Sequence, residues 1–254
     1  MNIPSFNMLP FALSVQAAIY PKKCATQSGG SSRVPRHSPP LSRGGLQRRL
    51  RSALACLCIA LAAGCGKPKE AGLPAGSLVL ALGDSLTAGY GVAPAEAWPA
   101  LLASRTGWAV VNAGISGDTS AGALARLPAL LELHRPALVM VTLGGNDMLR
   151  KVPQSQTIAN LASILQLAKA RGARVVLVAT PQPSVAGAVF RSLSAAGFYA
   201  SVAKETATPL IEDAIADVLS DPLMKGDPLH PNAAGHALLT KKLFDGLKSI
   251  GFAR

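Results

Sequence analysis

From residue 77 onward, short apolar runs alternate with longer stretches of helical periodicity. The runs are dense in Val and Leu and lie at 78–82, 109–111, 137–143 and 174–179, with 210–211 as a fifth candidate. Helical patterns lie at 98–105, 121–133, 158–171, 189–205, 212–219 and 233–250. Such short apolar strands are typical of sheets buried on both faces, which in turn need helices on both sides. We therefore predict an α/β fold, a three-layer α/β/α sandwich around a parallel sheet of about five strands.

The segment before this pattern has the features of an export signal. Arg48, Arg49 and Arg51 precede an apolar run at 53–63, which ends in small residues and Cys65. A basic start, a short apolar stretch and a small-residue end are typical of a bacterial secretory signal, and about 11 residues are too few to span a bilayer. We predict that residues 1–64 are an extension and secretory signal, 65–76 a tether, and 77–254 the folded domain.

Two alternatives remain open for this signal. Residues 61–65, Leu-Ala-Ala-Gly-Cys, resemble a lipobox, in which Cys65 is lipidated and becomes the new N-terminus. The protein would then be a lipoprotein of the periplasm or outer membrane. Cleavage after Ala62 would instead release a soluble periplasmic or secreted protein. Residues 1–47 cannot build a core, so translation starting later, near Val34 or Leu46, is a further hypothesis.

The charge and the cysteines narrow the function classes. The net charge is +12, but residues 1–64 carry eight positive charges and no acidic residue, which leaves +4 for the rest. With no basic stripe and no interleaved aromatics, we expect no nucleic-acid partner. No cysteine follows Cys65, so the predicted domain has neither a disulfide nor a thiolate metal site. Carboxylates and histidines at metal-ligand spacing are also missing, so no metal is expected.

Four motif blocks carry the chemistry, and three of them follow predicted strands. They are Gly-Asp-Ser-Leu at 83–86, Asn-Ala-Gly-Ile-Ser-Gly-Asp-Thr at 112–119, Gly-Gly-Asn-Asp at 144–147 and Asp-Pro-Leu-His-Pro-Asn at 227–232. Ligand sites of parallel sheets lie outside the carboxyl ends of the strands, so these blocks predict one site. Taken alone, each has a structural interpretation: Ser85 could cap a helix, and the other blocks could be turns.

In this order and at this spacing, the four blocks resemble the SGNH (GDSL) hydrolase family. They are most similar to its bacterial branch of secreted arylesterases, lysophospholipases and acyl-CoA thioesterases. The resemblance covers residues 78 to about 247 and implies a flavodoxin-like sheet and a cofactor-independent enzyme. It also implies Ser85 as nucleophile, His230 as general base and then acid, and Asp227 as the carboxylate that orients His230.

The resemblance further implies an oxyanion hole with three donors. These are the backbone N–H groups of Ser85 and Gly117 and the side-chain amide of Asn146. Asp84 and Asp147 are interpreted as structural residues that accept backbone N–H bonds in the surrounding loops. His236, in the last predicted helix, is interpreted as a surface or helix-capping residue.

The resulting expectation is a serine esterase that acts on short- to medium-chain esters or thioesters, aryl esters and lysophospholipids. It would be exported and attached to a membrane through Cys65. The alternatives are a carbohydrate or peptidoglycan O-deacetylase and a non-catalytic lipoprotein that binds acyl chains. Loops 148–156 and 182–198 are expected to set the width of the substrate pocket.

Overall fold

The computed structural model describes residues 72–184, 187 and 191–254. The predicted extension, the export signal and Cys65 lie outside the described residues, as does most of the predicted tether. Among the residues that are described, no helix is both long and apolar enough to cross a bilayer.

The core of the fold is a five-stranded sheet in which all paired strands are parallel. The strands are β1 (Leu78–Gly83), β2 (Ala109–Gly114), β3 (Leu138–Thr142), β4 (Arg174–Val178) and β5 (Leu210–Ile211). Their order in the sheet is β2-β1-β3-β4-β5. This is the flavodoxin-like order, in which the site lies where the chain switches from one side of β1 to the other. The predicted fold class and sheet order are confirmed.

Helices follow or precede each strand. They are α1 (Ser85–Ala88), α2 (Trp98–Thr106), α3 (Ser120–His134), α4 (Gly145–Leu149), α5 (Gln154–Ala170), α6 (Phe198–Glu205), α7 (Ala214–Ser220) and α8 (Ala233–Ser249). Short 3₁₀ turns at Pro94–Glu96 and Pro222–Met224 precede α2 and the 227–232 block.

Two apolar cores lie on opposite faces of the sheet, because alternate strand residues point to opposite sides. Leu80 and Leu82 of β1 face one core, which contains side chains of α3, α5 and α6. Val79 and Ala81 face the other, which contains side chains of α2, α7 and α8. This arrangement confirms the three-layer α/β/α sandwich, and it leaves the carboxyl edge of the sheet free for a site.

The predicted helix at 189–205 is wrong over its described first part. Residues 191–197 are not helical, and α6 begins only at Phe198. The segment instead pairs with the chain after β4: Gln182 N–H donates to the carbonyl of Ser194, and Ala195 forms an antiparallel bridge with Pro181. Tertiary pairing here overrides the helix propensity of an Ala- and Leu-rich stretch.

Candidate active site

Ser85 is held at the carboxyl end of β1 by a tight strand-to-helix turn. β1 ends at Gly83, and Ser85 is the first residue of the four-residue helix α1. Asp84, not Ser85, caps this helix, because Leu86 N–H donates to Asp84 Oδ1 at 3.0 Å. The hydroxyl of Ser85 is therefore free of capping and lies at the edge of the sheet.

His230 connects Ser85 to Asp227. His230 Nε2 lies 2.9 Å from Ser85 Oγ, and His230 Nδ1 lies 2.8 Å from Asp227 Oδ2. Asp227 Oδ1 also accepts the backbone N–H groups of Leu229, at 2.7 Å, and of His230, at 2.9 Å. Although burial raises the pKa of Asp227, these hydrogen bonds outweigh it and hold that pKa below its usual value. The structure thus brings the three residues together in one chain of hydrogen bonds.

Hydrogen bonds before Asp227 and after His230 stabilise the loop that carries these two residues. Lys225 and Pro231 form an antiparallel bridge, and Gly226 N–H donates to the carbonyl of His230 at 2.9 Å. Asn232 then caps α8 by accepting the N–H of Gly235 at 2.9 Å. These bonds fix the backbone from which the imidazole reaches Ser85.

Tyr90 packs against the imidazole of His230, with ring centroids 4.6 Å apart. No local sequence pattern predicts this contact. The only available signal was an aromatic residue between Gly89 and Gly91, shortly after Ser85.

The three expected oxyanion donors line one cleft with Ser85 and His230. The backbone N–H groups of Ser85 and Gly117 donate to no other described residue. Asn146 Nδ2 donates to the carbonyl of Asp118 at 3.0 Å and to Asp84 Oδ2 at 3.3 Å. These contacts fix the orientation of the Asn146 amide beside the serine.

Gly117 adopts a φ of +80°, which disfavours any residue with a Cβ. Arg150 Nη2 donates to the carbonyl of Gly117 at 2.8 Å, and a Cβ at Gly117 would lie 3.3 Å from the same nitrogen. Arg150 therefore fixes the loop whose N–H faces the cleft. Sequence reasoning missed Arg150, since a solvent-exposed Arg after a short helix carries no distinctive local signal.

Buried carboxylates hold the surrounding loops, as predicted for Asp84 and Asp147. Asp147 accepts the N–H of Ser120 at 2.9 Å and its hydroxyl at 2.5 Å, which connects α4 to the start of α3. Burial raises the pKa of Asp84 to about 6, because its charged form loses hydration. Asp118 pairs with Arg126 at 2.8 Å, and Arg126 Nη2 also donates to the carbonyl of Gly83.

His236 is buried, so its interpretation as a surface residue is wrong. Its Nδ1 accepts the N–H of Trp98, the first residue of α2, at 3.3 Å. Burial lowers the pKa of His236 to about 4. The imidazole is therefore neutral at neutral pH and joins α8 to α2, and it does not line the cleft.

The cleft has a volume of about 770 Å³, and most of its lining surface is apolar. Both loops that were expected to set its width contribute: Leu149 comes from the first, and Gln182, Pro183, Ser184 and Leu193 come from the second. Within the described ranges, His, Cys, Asp and Glu side chains form no group of three or more that could hold a metal ion.

Comparisons with known proteins show to which family the chain belongs. The model of the GDSL-like Lipase/Acylhydrolase family matches residues 81–238. Esterase TesA of Pseudomonas aeruginosa is 40% identical over 183 residues, which cover 69% of this chain and 90% of that protein. Thioesterase 1/protease 1/lysophospholipase L1 of Escherichia coli K12 is 44% identical over 163 residues, covering 62% and 77%. A crystal structure of TesA superposes with a TM-score of 0.62 at 39% identity, covering 68% of this chain and 99% of that chain.

Proposed function

Because the chain belongs to the GDSL-like Lipase/Acylhydrolase family, whose members hydrolyse ester bonds, we propose that it is a serine esterase with Ser85 as its nucleophile. The single observation that carries this proposal is the position of His230. Its imidazole lies 2.9 Å from the Ser85 hydroxyl and 2.8 Å from the Asp227 carboxylate. A serine is a weak nucleophile until a base removes its proton, and this arrangement supplies the base and its orienting carboxylate.

In the first half-reaction, Ser85 Oγ attacks the carbonyl carbon of the ester while His230 Nε2 accepts the hydroxyl proton. Asp227 stabilises the imidazolium that forms. The carbonyl oxygen becomes an oxyanion, which accepts hydrogen bonds from the N–H groups of Ser85 and Gly117 and from Asn146 Nδ2. The bond to the leaving oxygen or sulfur then breaks, and His230 returns the proton to that atom, which leaves an acyl group on Ser85.

In the second half-reaction, His230 removes a proton from water, and the resulting nucleophile attacks the acyl carbon. The same donors hold the second oxyanion. Ser85 leaves with the proton from His230, and the free acid is released. No cofactor takes part in either step of this proposed sequence.

The expected substrates are short- to medium-chain esters, thioesters, aryl esters and lysophospholipids. This choice is supported by the apolar cleft, since an acyl chain gains free energy from contact with Pro181, Leu193 and Leu219. Thr180, Gln182 and Ser184 also line the cleft and offer hydrogen bonds to hydroxyl groups, so a chain-length series is needed to separate an acyl substrate from an acetylated sugar.

Two assays test this proposal. A fluorophosphonate probe should label the wild-type protein and leave the Ser85→Ala variant unlabelled, whereas labelling of both proteins would contradict the assignment. Rates on p-nitrophenyl esters from acetate to decanoate should rise beyond acetate. A rate confined to acetate and to acetylated sugars would instead identify an O-deacetylase, and no hydrolysis with no labelling would contradict any esterase activity and leave the non-catalytic alternative.

We also propose that the protein is exported and carries a lipid on Cys65. Support comes from the basic residues, the apolar run and the small residues that precede this cysteine. Cells grown with radiolabelled palmitate should incorporate label into the wild-type protein and not into the Cys65→Ser variant. An unlabelled wild-type protein in the periplasmic fraction would support the soluble alternative.

A further inference from the structure

Three half-exposed apolar side chains line the cleft, and a fourth is next to a lining residue in the chain. Tyr90, Leu149 and Leu229 line the cleft and are 54%, 47% and 49% exposed. Ile115, 50% exposed, directly precedes Ser116, which also lines it. We call Tyr90, Ile115, Leu149 and Leu229 the apolar rim. They belong to four separate segments, so the fold gathers them at one opening, and clustered apolar exposure of this kind marks interaction sites.

Two cations adjoin the apolar rim. Arg150 and Lys151 follow Leu149 and are exposed. Arg150 is held at the cleft by its bond to the carbonyl of Gly117. Neither cation forms an ion pair with a carboxylate in the described ranges. The patch therefore combines apolar contact area with unneutralised positive charge.

Two nearby carboxylates do not cancel this charge, because Asp84 is buried and Asp118 pairs with Arg126. Asp227 keeps its charge beside the neutral imidazole of His230, so it offsets one of the two cations. A surface that presents half-exposed apolar side chains beside cations without an ion-pair partner in the described ranges is complementary to anionic lipid headgroups above an acyl layer.

We propose that the apolar rim docks on the surface of an anionic phospholipid bilayer, with the mouth of the cleft facing the lipid. Leu149, Leu229, Ile115 and Tyr90 enter the boundary between headgroups and acyl chains, while Arg150 and Lys151 contact phosphates. An amphiphilic molecule then enters the cleft from the bilayer without crossing water. A second copy of the chain fits this surface poorly, because a symmetric contact would bring the cations of both copies together. The docking surface is independent of any lipid on Cys65.

Leu133 supplies a matched control on the opposite side of the fold. It is 75% exposed and lies in the last turn of α3. Since α3 leads from the carboxyl end of β2 to the amino end of β3, its last turn lies at the edge of the sheet opposite the cleft. If apolar exposure alone caused membrane contact, Leu133 would show it as strongly as the apolar rim.

The test uses single cysteines that carry a polarity-sensitive fluorophore. No cysteine follows Cys65, so serine replacements of Cys24, Cys56, Cys58 and Cys65 leave the full-length chain ready for labelling at one position. Ser85→Ala is included so that docking is measured without hydrolysis. Vesicles of diether phosphatidylglycerol should shift the emission of probes at Leu149→Cys, Leu229→Cys and Ile115→Cys to shorter wavelength. The probe at Leu133→Cys should not shift.

Equal behaviour of the Leu149→Cys and Leu133→Cys probes would overturn the proposal, whatever else attaches the protein to the vesicle. A shift that grows with protein concentration in the absence of lipid would also overturn it, because a second copy would then cover the rim. Since Ser85→Ala is present in every protein, a failure of the proposed esterase activity would leave these outcomes unchanged.

The charge requirement is tested separately. Lys151 has a φ of +55°, which Asn tolerates, so Lys151→Asn removes the charge with little backbone strain. Loss of one surface cation should raise the lipid concentration that gives half of the maximal emission shift about fivefold. Lys204→Gln, in the last turn of α6 at the opposite edge, should leave it unchanged. Equal shifts with phosphatidylcholine vesicles would overturn the assignment of an anionic surface.

Discussion

Asn146 Nδ2 lies 3.3 Å from Asp84 Oδ2, and both residues lie beside the candidate nucleophile. The second hydrogen of the same amide is directed to the carbonyl of Asp118, at 3.0 Å. Both hydrogens of Asn146 are therefore engaged by the protein itself. The longer and weaker bond, to Asp84, is the one that an incoming oxyanion would replace.

We predict that Asp84→Asn lowers kcat by about 10- to 100-fold and changes KM little. The new Asn can accept the N–H of Leu86 only through its oxygen, which turns its own NH₂ toward the NH₂ of Asn146. Two opposed donors would rotate the Asn146 amide away from the oxyanion, and loss of one such donor costs about 10²–10³ in rate. Steady-state kinetics on p-nitrophenyl butyrate measure the effect.

The matched control for this prediction is Asp217→Asn, which removes a carboxylate on α7 that pairs with Lys242 and does not line the cleft. Its kcat should equal that of the wild type. If Asn146→Ala and Asp84→Asn have fully additive effects on the activation free energy, the two side chains do not act through one contact, and the explanation is wrong.

For Asp227→Asn we expect a loss of about 10⁴ in kcat with a folded protein. The Asn oxygen can still accept the N–H groups of Leu229 and His230, so the turn is kept. The neutral amide of Asp227→Asn no longer provides a negative charge to orient His230 and stabilise the imidazolium. A loss of less than tenfold would show that Asp227 is not the orienting carboxylate.

The stability of the protein should depend on pH through His236. Burial lowers the pKa of His236 from 6.5 to about 4, so the folded state binds this proton less readily than the unfolded chain does. The stabilising contribution is full above pH 6.5 and is lost as the pH falls through 4, a change of about 3 kcal/mol. In His236→Asn, whose oxygen can still accept the Trp98 N–H, this dependence should vanish.

Asp84 changes the stability with pH in the opposite direction to His236, over an overlapping range of pH. Its folded-state pKa is raised from 3.8 to about 6, so its contribution is full below pH 3.8 and is lost as the pH rises through 6. Denaturant unfolding at pH 4, 5, 6 and 7 should therefore show a steeper acid loss of stability in Asp84→Asn than in the wild type. A free-energy difference between wild type and His236→Asn that is the same at all four pH values would contradict the assignment to His236.

Arg150→Ala should lower kcat about tenfold on soluble esters, because the Gly117 carbonyl loses the donor that fixes its loop. Arg150→Lys should recover part of this loss, since an ammonium can still donate one bond to the carbonyl. Arg171→Ala, an exposed arginine at the end of α5, is the control and should behave as the wild type. Unchanged kcat in Arg150→Ala would show that the loop containing Gly117 keeps its conformation without the bond from Arg150.

The width of the cleft should respond to Leu193, which is partly buried and lines it. Leu193→Trp narrows the cleft and should shift the best p-nitrophenyl ester to a shorter acyl chain. Leu193→Ala widens it and should shift the optimum the other way. Shifts in the same direction, or none, would mean that the acyl chain follows another path.

Much of this fold follows from local sequence patterns. The strands lie within three residues of their predicted bounds, because a buried strand needs a continuous apolar run whatever its neighbours are. The largest difference is in β2, an edge strand that is only partly buried. The segment 191–197 was misassigned for the converse reason. Its composition favours a helix, but the bonds of Ser194 and Ala195 to the chain after β4 decide its conformation.

The residues of the candidate site also divide into those that sequence motifs predict and those that only the tertiary structure brings to it. Ser85, Gly117, Asn146, Asp227 and His230 could be predicted because their motif blocks resemble the SGNH (GDSL) family, and the parallel sheet obliges three of the motif loops to meet at one edge. Their catalytic roles stay predictions, although the structure places them within reach of one another.

Only the tertiary structure determines the contacts between distant segments. These are the ring contact of Tyr90 with His230 and the hydrogen bonds of Arg150 with Gly117 and of His236 with Trp98. None of these pairs has a local signature, since each depends on how two separate segments pack. The apolar rim is of the same kind. Four ordinary apolar residues mark a docking surface only after folding gathers them at the mouth of one cleft, whereas the alternation of strands and helices already required that such an edge exist.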